Sequence, residues 1–135
     1  MIGESRIVSA CKETGKIFNE RIDIFNKSKD SLCKYTVSIL IAVCHESLNA
    51  FKISYLQIKN FIYYVSKLYK NNHFHSFYHA FNVFHSLWLI IEKSQLKNIL
   101  YNDEKFAILI AAICHDVGHT GNNNEIEKLL NSNIY

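Results

Sequence analysis

HSFYHAFNVFHSLWLIIE, residues 75–92, decides how this chain is read. Phe77, Phe81, Phe84 and Trp88 recur at three- and four-residue intervals, the period of one helical face. The spacing predicts a helix from Ser76 to about Glu92 with that stripe in the core. His75 and His79 are four apart, so on a helix they share a face about one turn from each other. Asn82, three further on, shares it and is placed to hydrogen-bond a ligand from behind.

Thirty-six positions beyond His79 comes His115-Asp116-Val117-Gly118-His119. It closes a second predicted helix, Glu104 to about Asp116, capped by Asn102 or Asp103. The body of that helix, Phe106–Cys114, is almost wholly apolar, and a helix apolar on every side is a buried one. An ionised Asp116 at its end needs a compensating cation, because burying an unpaired charge is costly. Histidine and carboxylate are the usual ligands of zinc, manganese and magnesium. In helical proteins such sites are assembled from side chains on facing helices. The two clusters therefore predict a metal site between packed helices and a metal-dependent phosphohydrolase. The competing reading makes them capping groups and satisfied core polars. His45 and His85 stand alone and are read as surface or packing groups.

The remaining periodicity predicts three more helices. Ile7, Cys11, Phe18, Ile22 and Phe25 mark one over residues 4–27. Leu32, Tyr35, Ile39, Ala42 and Val43 mark another, capped by Asp30 or Ser31 and running to about Asn49. A third starts at Ser54 and carries Ile58, Phe61, Ile62, Val65 and Leu68 to Tyr69. Gly118 to Asn124 is turn-like, and a short helix is expected near Glu125. With no β pattern and no Pro, the fold class is all-α, a helical bundle.

The 135 residues allow one core. The net charge of +3 is spread along the chain with no basic, aromatic-interleaved block, which argues against nucleic acid as a partner. Cys11, Cys33, Cys44 and Cys114 form no CxxC pair and are expected as reduced, buried thiols. The apolar runs Val37–Cys44 and Ala107–Cys114 are far short of the ~20 residues that span a bilayer. No signal peptide opens the chain, so a cytoplasmic setting is expected, or the cytosolic side of a membrane if a longer product carries an anchor.

HSFYHAFNVFHSLW together with CHDVGHTGNNN resembles the catalytic domain of class I 3′,5′-cyclic nucleotide phosphodiesterases, members of the HD superfamily of metal phosphohydrolases. Those enzymes show YHNxxHAxxV and HDxxHxGxxN. The resemblance covers roughly 50 residues closely and the upstream helices loosely. It implies hydrolysis of cyclic AMP or cyclic GMP to the 5′-monophosphate at a two-metal site in cyclic nucleotide signalling. By position, His75 matches the histidine that protonates the leaving 3′-oxygen. His79, His115 and Asp116 match zinc ligands, with Asp116 also bridging to a second metal, magnesium or manganese. His119 matches a histidine that hydrogen-bonds metal-bound solvent, and Asn123 or Asn124 an asparagine after the glycine turn.

Ser76, His73 and Phe74 depart from the usual Asn, Pro and Tyr, and Gly118 stands where an acidic residue is common. The family's last zinc-ligating Asp, its purine-holding Gln and its hydrophobic clamp find no counterpart here. Residues 1–70 are thus read as N-terminal helices and 71–135 as the metal-motif region of a partial catalytic domain. As such, the chain is expected to be inactive by itself and to be poorly stable or to associate. The rivals are an HD-type phosphohydrolase of another nucleotide and a non-catalytic metal-binding or interaction fragment.

Overall fold

A computed structural model describes residues 1–19, 23–123 and 126. Among the described residues, six α-helices make up the all-α fold: α1 Glu4–Asn19, α2 Lys29–Ala50, α3 Tyr55–Leu68, α4 Phe77–Lys93, α5 Leu96–Ile99 and α6 Asn102–Cys114. Among the described residues there is no strand. The expected short helix near Glu125, like Ile22 and Asn124, lies outside the described residues.

The first helix stops well before residue 27. Asp23 has non-helical dihedrals, and its carboxylate accepts from the Asn26 side chain, a local bond that competes with helix continuation. A 3-10 turn, Ile24–Asn26, follows and leaves Phe25 87% exposed. The buried face of α1 also differs from the expected one. It runs through Ala10, Thr14 and Ile17, with Ile7 and Phe18 partly covered, while Cys11 points to solvent.

Ser28, rather than Asp30 or Ser31, caps α2, its side chain accepting from the Ser31 N–H at 3.1 Å. Asp30 sits in the first turn and pairs with Lys34 at 2.7 Å. At the other end, the Lys52 N–H donates to Asn49 O (3.0 Å) and the Ile53 N–H to Leu48 O (2.7 Å). This is a Schellman ending, with Lys52 at φ 57° in the left-handed position that usually takes glycine. Ser54 and Gln57 then form a reciprocal capping box that starts α3.

The most enclosed helix is α2, not α6 as its composition suggests. α1, α3, α4 and α6 all pack on α2, and Leu32, Ile39, Leu40, Cys44 and Leu48 have no exposed surface. α6 packs chiefly on α2 and α4. It buries Leu109, Ala112 and Ile113, half-covers Phe106, Ile108, Ile110 and Cys114, and leaves Ala107 and Ala111 exposed. Asn102 and Asp103 do not cap it, because both reach back to α2. Ser47 Oγ donates to Asp103 at 2.6 Å, and the Asn102 amide donates to Glu46. Glu104 instead accepts the Tyr101 N–H at 2.8 Å and closes the first turn.

In α4 the stripe Phe77, Phe81, Phe84 and Trp88 is buried as expected. The one-turn α5 has no periodic signal in the sequence, being too short to show one. Among the described residues no single helix is long and apolar enough to cross a membrane; α2 and α3 pass that test only as a pair bent by 120°.

Candidate metal centre

His79 projects from the first turns of α4, and His115 and Asp116 follow the last residue of α6. α6 ends two residues before the expected Asp116. From there the chain turns tightly, the Val117 N–H donating to Cys114 O (3.1 Å) and the His119 N–H to Asp116 O (3.0 Å), with Gly118 at φ 78°. These turns leave Asp116 facing α4. Its Oδ2 lies 3.5 Å from His79 Nε2 and 3.0 Å from His115 Nε2. One donor atom from each residue falls within 4.8 Å of the others.

A cation with ligand bonds of about 2.0–2.2 Å, bound tetrahedrally, needs its donors about 3.4 Å apart. The two measured separations bracket that distance, so this His2Asp set fits a borderline divalent cation. The tautomers suit it as well. His115 Nδ1 lies 2.8 Å from Ala112 O, which can only accept, so in the neutral ring the proton sits on Nδ1 and Nε2 keeps its lone pair. At His79, burial pushes the imidazole pKa down against the pull of Asp116, and His115 and His75 push it the same way as burial. A neutral ring is the form a metal requires.

His75 and His119 border the cluster without joining it. Their rings stack at 3.8 Å with planes 16° apart. His75 lies 6.1 Å, centroid to centroid, from His79. The Gly121 N–H donates to His119 Nδ1 at 2.9 Å, so in the neutral ring the proton is on Nε2, a donor. Asn82 is exposed and makes no hydrogen bond to the cluster among the described residues. With His79 it lines a cavity of about 350 Å³ whose other walls include Asp23, Phe74 and Tyr78. The Oδ1 of Asn123 accepts the Ile126 N–H at 2.9 Å.

Two residues that bear on the site carry no motif signal. The buried Tyr69 hydroxyl donates to Ile113 O at 2.9 Å and accepts the Asp116 N–H at 3.2 Å. The Asn72 amide donates to His119 O at 2.8 Å and reaches His75 O at 3.4 Å. The sequence places Tyr69 at the end of the third helix and Asn72 just beyond it, and marks neither as part of a site; in the structure both follow α3. The lone histidines behave as packing groups. His85 is buried and stacks on Phe81, and His45 is partly buried in α2.

The cysteines separate by burial. Cys33 and Cys44 are buried, and burial pushes the Cys44 thiol up to about 12. Cys114 is partly covered, and Cys11 is exposed, against the expectation for all four. All are free thiols.

The fold and the cluster thus define a helical protein with a His/Asp metal motif split between the start of one helix and the end of another. Residues 74–135 match the 3′5′-cyclic nucleotide phosphodiesterase family. The chain is 40% identical over 119 residues to the "cGMP-specific 3′,5′-cGMP phosphodiesterase 3" of Dictyostelium discoideum, covering 87% of this chain and 25% of that protein. It is 33% identical over 106 residues to the "3′,5′-cyclic-nucleotide phosphodiesterase regA" of the same organism, covering 78% of the chain and 13% of the relative. A cone cGMP-specific 3′,5′-cyclic phosphodiesterase subunit alpha′ of Bos taurus is 35% identical over 74 residues, 55% of the chain and 9% of the relative. No solved structure matches. This chain belongs to the 3′5′-cyclic nucleotide phosphodiesterase family. It spans a quarter or less of the length of these relatives. The family is one of divalent-metal-dependent enzymes, and His79, His115 and Asp116 form a cluster that could hold such an ion.

Proposed function

We propose that this chain supplies the metal-motif part of a site that hydrolyses 3′,5′-cyclic nucleotides to 5′-monophosphates. The observation that carries it is the meeting of His79, His115 and Asp116 donor atoms within 4.8 Å, from two helices and a motif 36 residues apart. Water adds to phosphorus, the P–O3′ bond breaks, and the 3′-oxygen takes a proton. Zinc held by His79, His115 and Asp116, with magnesium or manganese sharing Asp116, would neutralise charge on the phosphoryl oxygens and activate water.

His75 is the residue we assign to give that proton. It borders the ligands without being one, and its ring is held face to face with His119. With Nδ1 accepting from Gly121, the neutral His119 ring would keep its N–H on Nε2, free to donate to attacking solvent or a phosphoryl oxygen. The similarity to a relative named cGMP-specific favours cyclic GMP as the substrate.

The test has two parts. Metal analysis and zinc titration on the 135-residue chain should give one tight equivalent, lost in Asp116→Ala. Hydrolysis of cyclic GMP and cyclic AMP should be assayed on the longest natural product that contains this chain, with and without chelator. A chain that takes up no divalent metal, or hydrolysis indifferent to chelation, would sink the proposal.

A further inference from the structure

Between α3 and α4 lie two groups that neither metal nor substrate contact accounts for. Tyr69 is 4% exposed yet carries a hydroxyl into the core. A buried hydroxyl is tolerated only with partners, and here the partners sit on either side of the α6 end. One is the Ile113 carbonyl in the last turn, at 2.9 Å. The other is the backbone N–H of Asp116, at 3.2 Å, the residue whose carboxylate meets both ligand histidines. The phenol is itself held edge-on to Phe77 of α4, with ring centroids 5.9 Å apart. Tyr69 therefore ties α3, α4 and the Asp116 turn at one point.

Asn72 does the same for the other half of the site. Its amide donates to the His119 carbonyl and reaches that of His75, linking the two residues whose rings stack. Its opposite edge lies against Gly121, at φ 92°, where an added Cβ would come within 2.9 Å of Asn72 Oδ1. Only glycine lets the turn approach this closely.

We propose that Tyr69 and Asn72 are positioning residues of the metal centre. Tyr69 sets the turn that aims Asp116 at His79 and His115, and Asn72 sets the pairing of His75 with His119. The first clause rests on reading His79, His115 and Asp116 as ligands.

The test uses the whole chain and variants that spare the packing. Tyr69→Phe keeps the ring and removes the hydroxyl. It should bind zinc about 10–100-fold more weakly, the usual effect of losing a group that orients a ligand. In the metal-free chain its Asp116 amide should lose protection from hydrogen exchange while the Leu40 amide in α2 keeps its own. Val65→Ala, a buried deletion in the preceding helix α3, should lower the melting midpoint without weakening zinc binding selectively. Asn72→Ala should leave zinc affinity close to that of the parent and abolish the NMR ring contact between His75 and His119.

Unchanged zinc affinity in Tyr69→Phe, or an equal loss in Val65→Ala at a matched midpoint, overturns the Tyr69 role. A His75–His119 contact that survives Asn72→Ala overturns the other. If the parent chain binds no zinc, the ligand reading fails. The Asp116 amide exchange and the ring contact then still decide, separately, whether each residue orders its turn.

Discussion

The histidines of this chain separate by surroundings rather than by sequence context. His85 is buried against Phe81 and Trp88, and its Nε2 has no hydrogen-bond partner among the described residues. Burial, then the charge of Lys93, pushes its pKa down. A folded-state pKa below the unfolded value of about 6.5 means stability present above that pH and lost as pH falls through it. Thermal melts at pH 7.5 and 5.5 should show the loss, and His85→Phe should flatten it in part. His79, whose pKa is lowered in the same direction, contributes to the remainder. An unaltered pH profile in His85→Phe would show that another group controls it. For His75, the proposed proton donor, His75→Ala should cut turnover of the longer product by ~10²–10⁴-fold, the usual worth of general acid catalysis. Metal content should hold. Equal loss of zinc and rate would make His75 a ligand instead.

Element ends carry errors of residue choice that substitution can expose. Lys52 occupies the left-handed position of the α2 Schellman ending at φ 57°. Such a conformation costs a residue with a Cβ about 1–2 kcal/mol. Lys52→Gly should therefore raise the melting midpoint, by several degrees if about 1 kcal/mol is recovered. Calorimetry checks it, and a lowered midpoint would mean the Lys52 side chain contributes more than its backbone costs. The Ser54–Gln57 capping box predicts the opposite sign. Ser54→Ala should cost about 0.5–2 kcal/mol of stability by leaving α3 uncapped. Capping from sequence succeeds here because Ser54 and Gln57 satisfy each other within one turn. It fails at α6, where Asn102 and Asp103 are drawn to Glu46 and Ser47 across the helix interface.

For the molecule as a whole, the metal centre joins α4 to the turn after α6, so binding there should stabilise the fold. A ligand bound only to the folded state adds about 2.7 kcal/mol at 100 times its Kd. Saturating zinc should raise the melting midpoint of the parent chain, a chelator should reverse the rise, and Asp116→Ala should abolish it. A rise that persists in Asp116→Ala would place the metal elsewhere. Core deletion is the complementary probe: Leu40→Ala, in the fully enclosed middle of α2, should cost about 2–5 kcal/mol.

By itself the sequence determined the helical periods, the α4 core stripe and the two histidine clusters. Each of these follows from spacing within one segment or from side-chain chemistry that needs no neighbour to be recognised. Only the tertiary structure decided that α2 is the central helix. α6 reads as the more apolar of the two, but enclosure depends on how many helices pack around an element, not on its composition. The same holds for Tyr69 and Asn72. Nothing in Tyr69-Lys70-Asn71-Asn72 marks a functional residue, because their partners, Ile113, Asp116 and His119, lie more than 40 residues away. They become part of the site only when packing of α3, α4 and α6 brings a loop hydroxyl and a loop amide to the backbone of the motif.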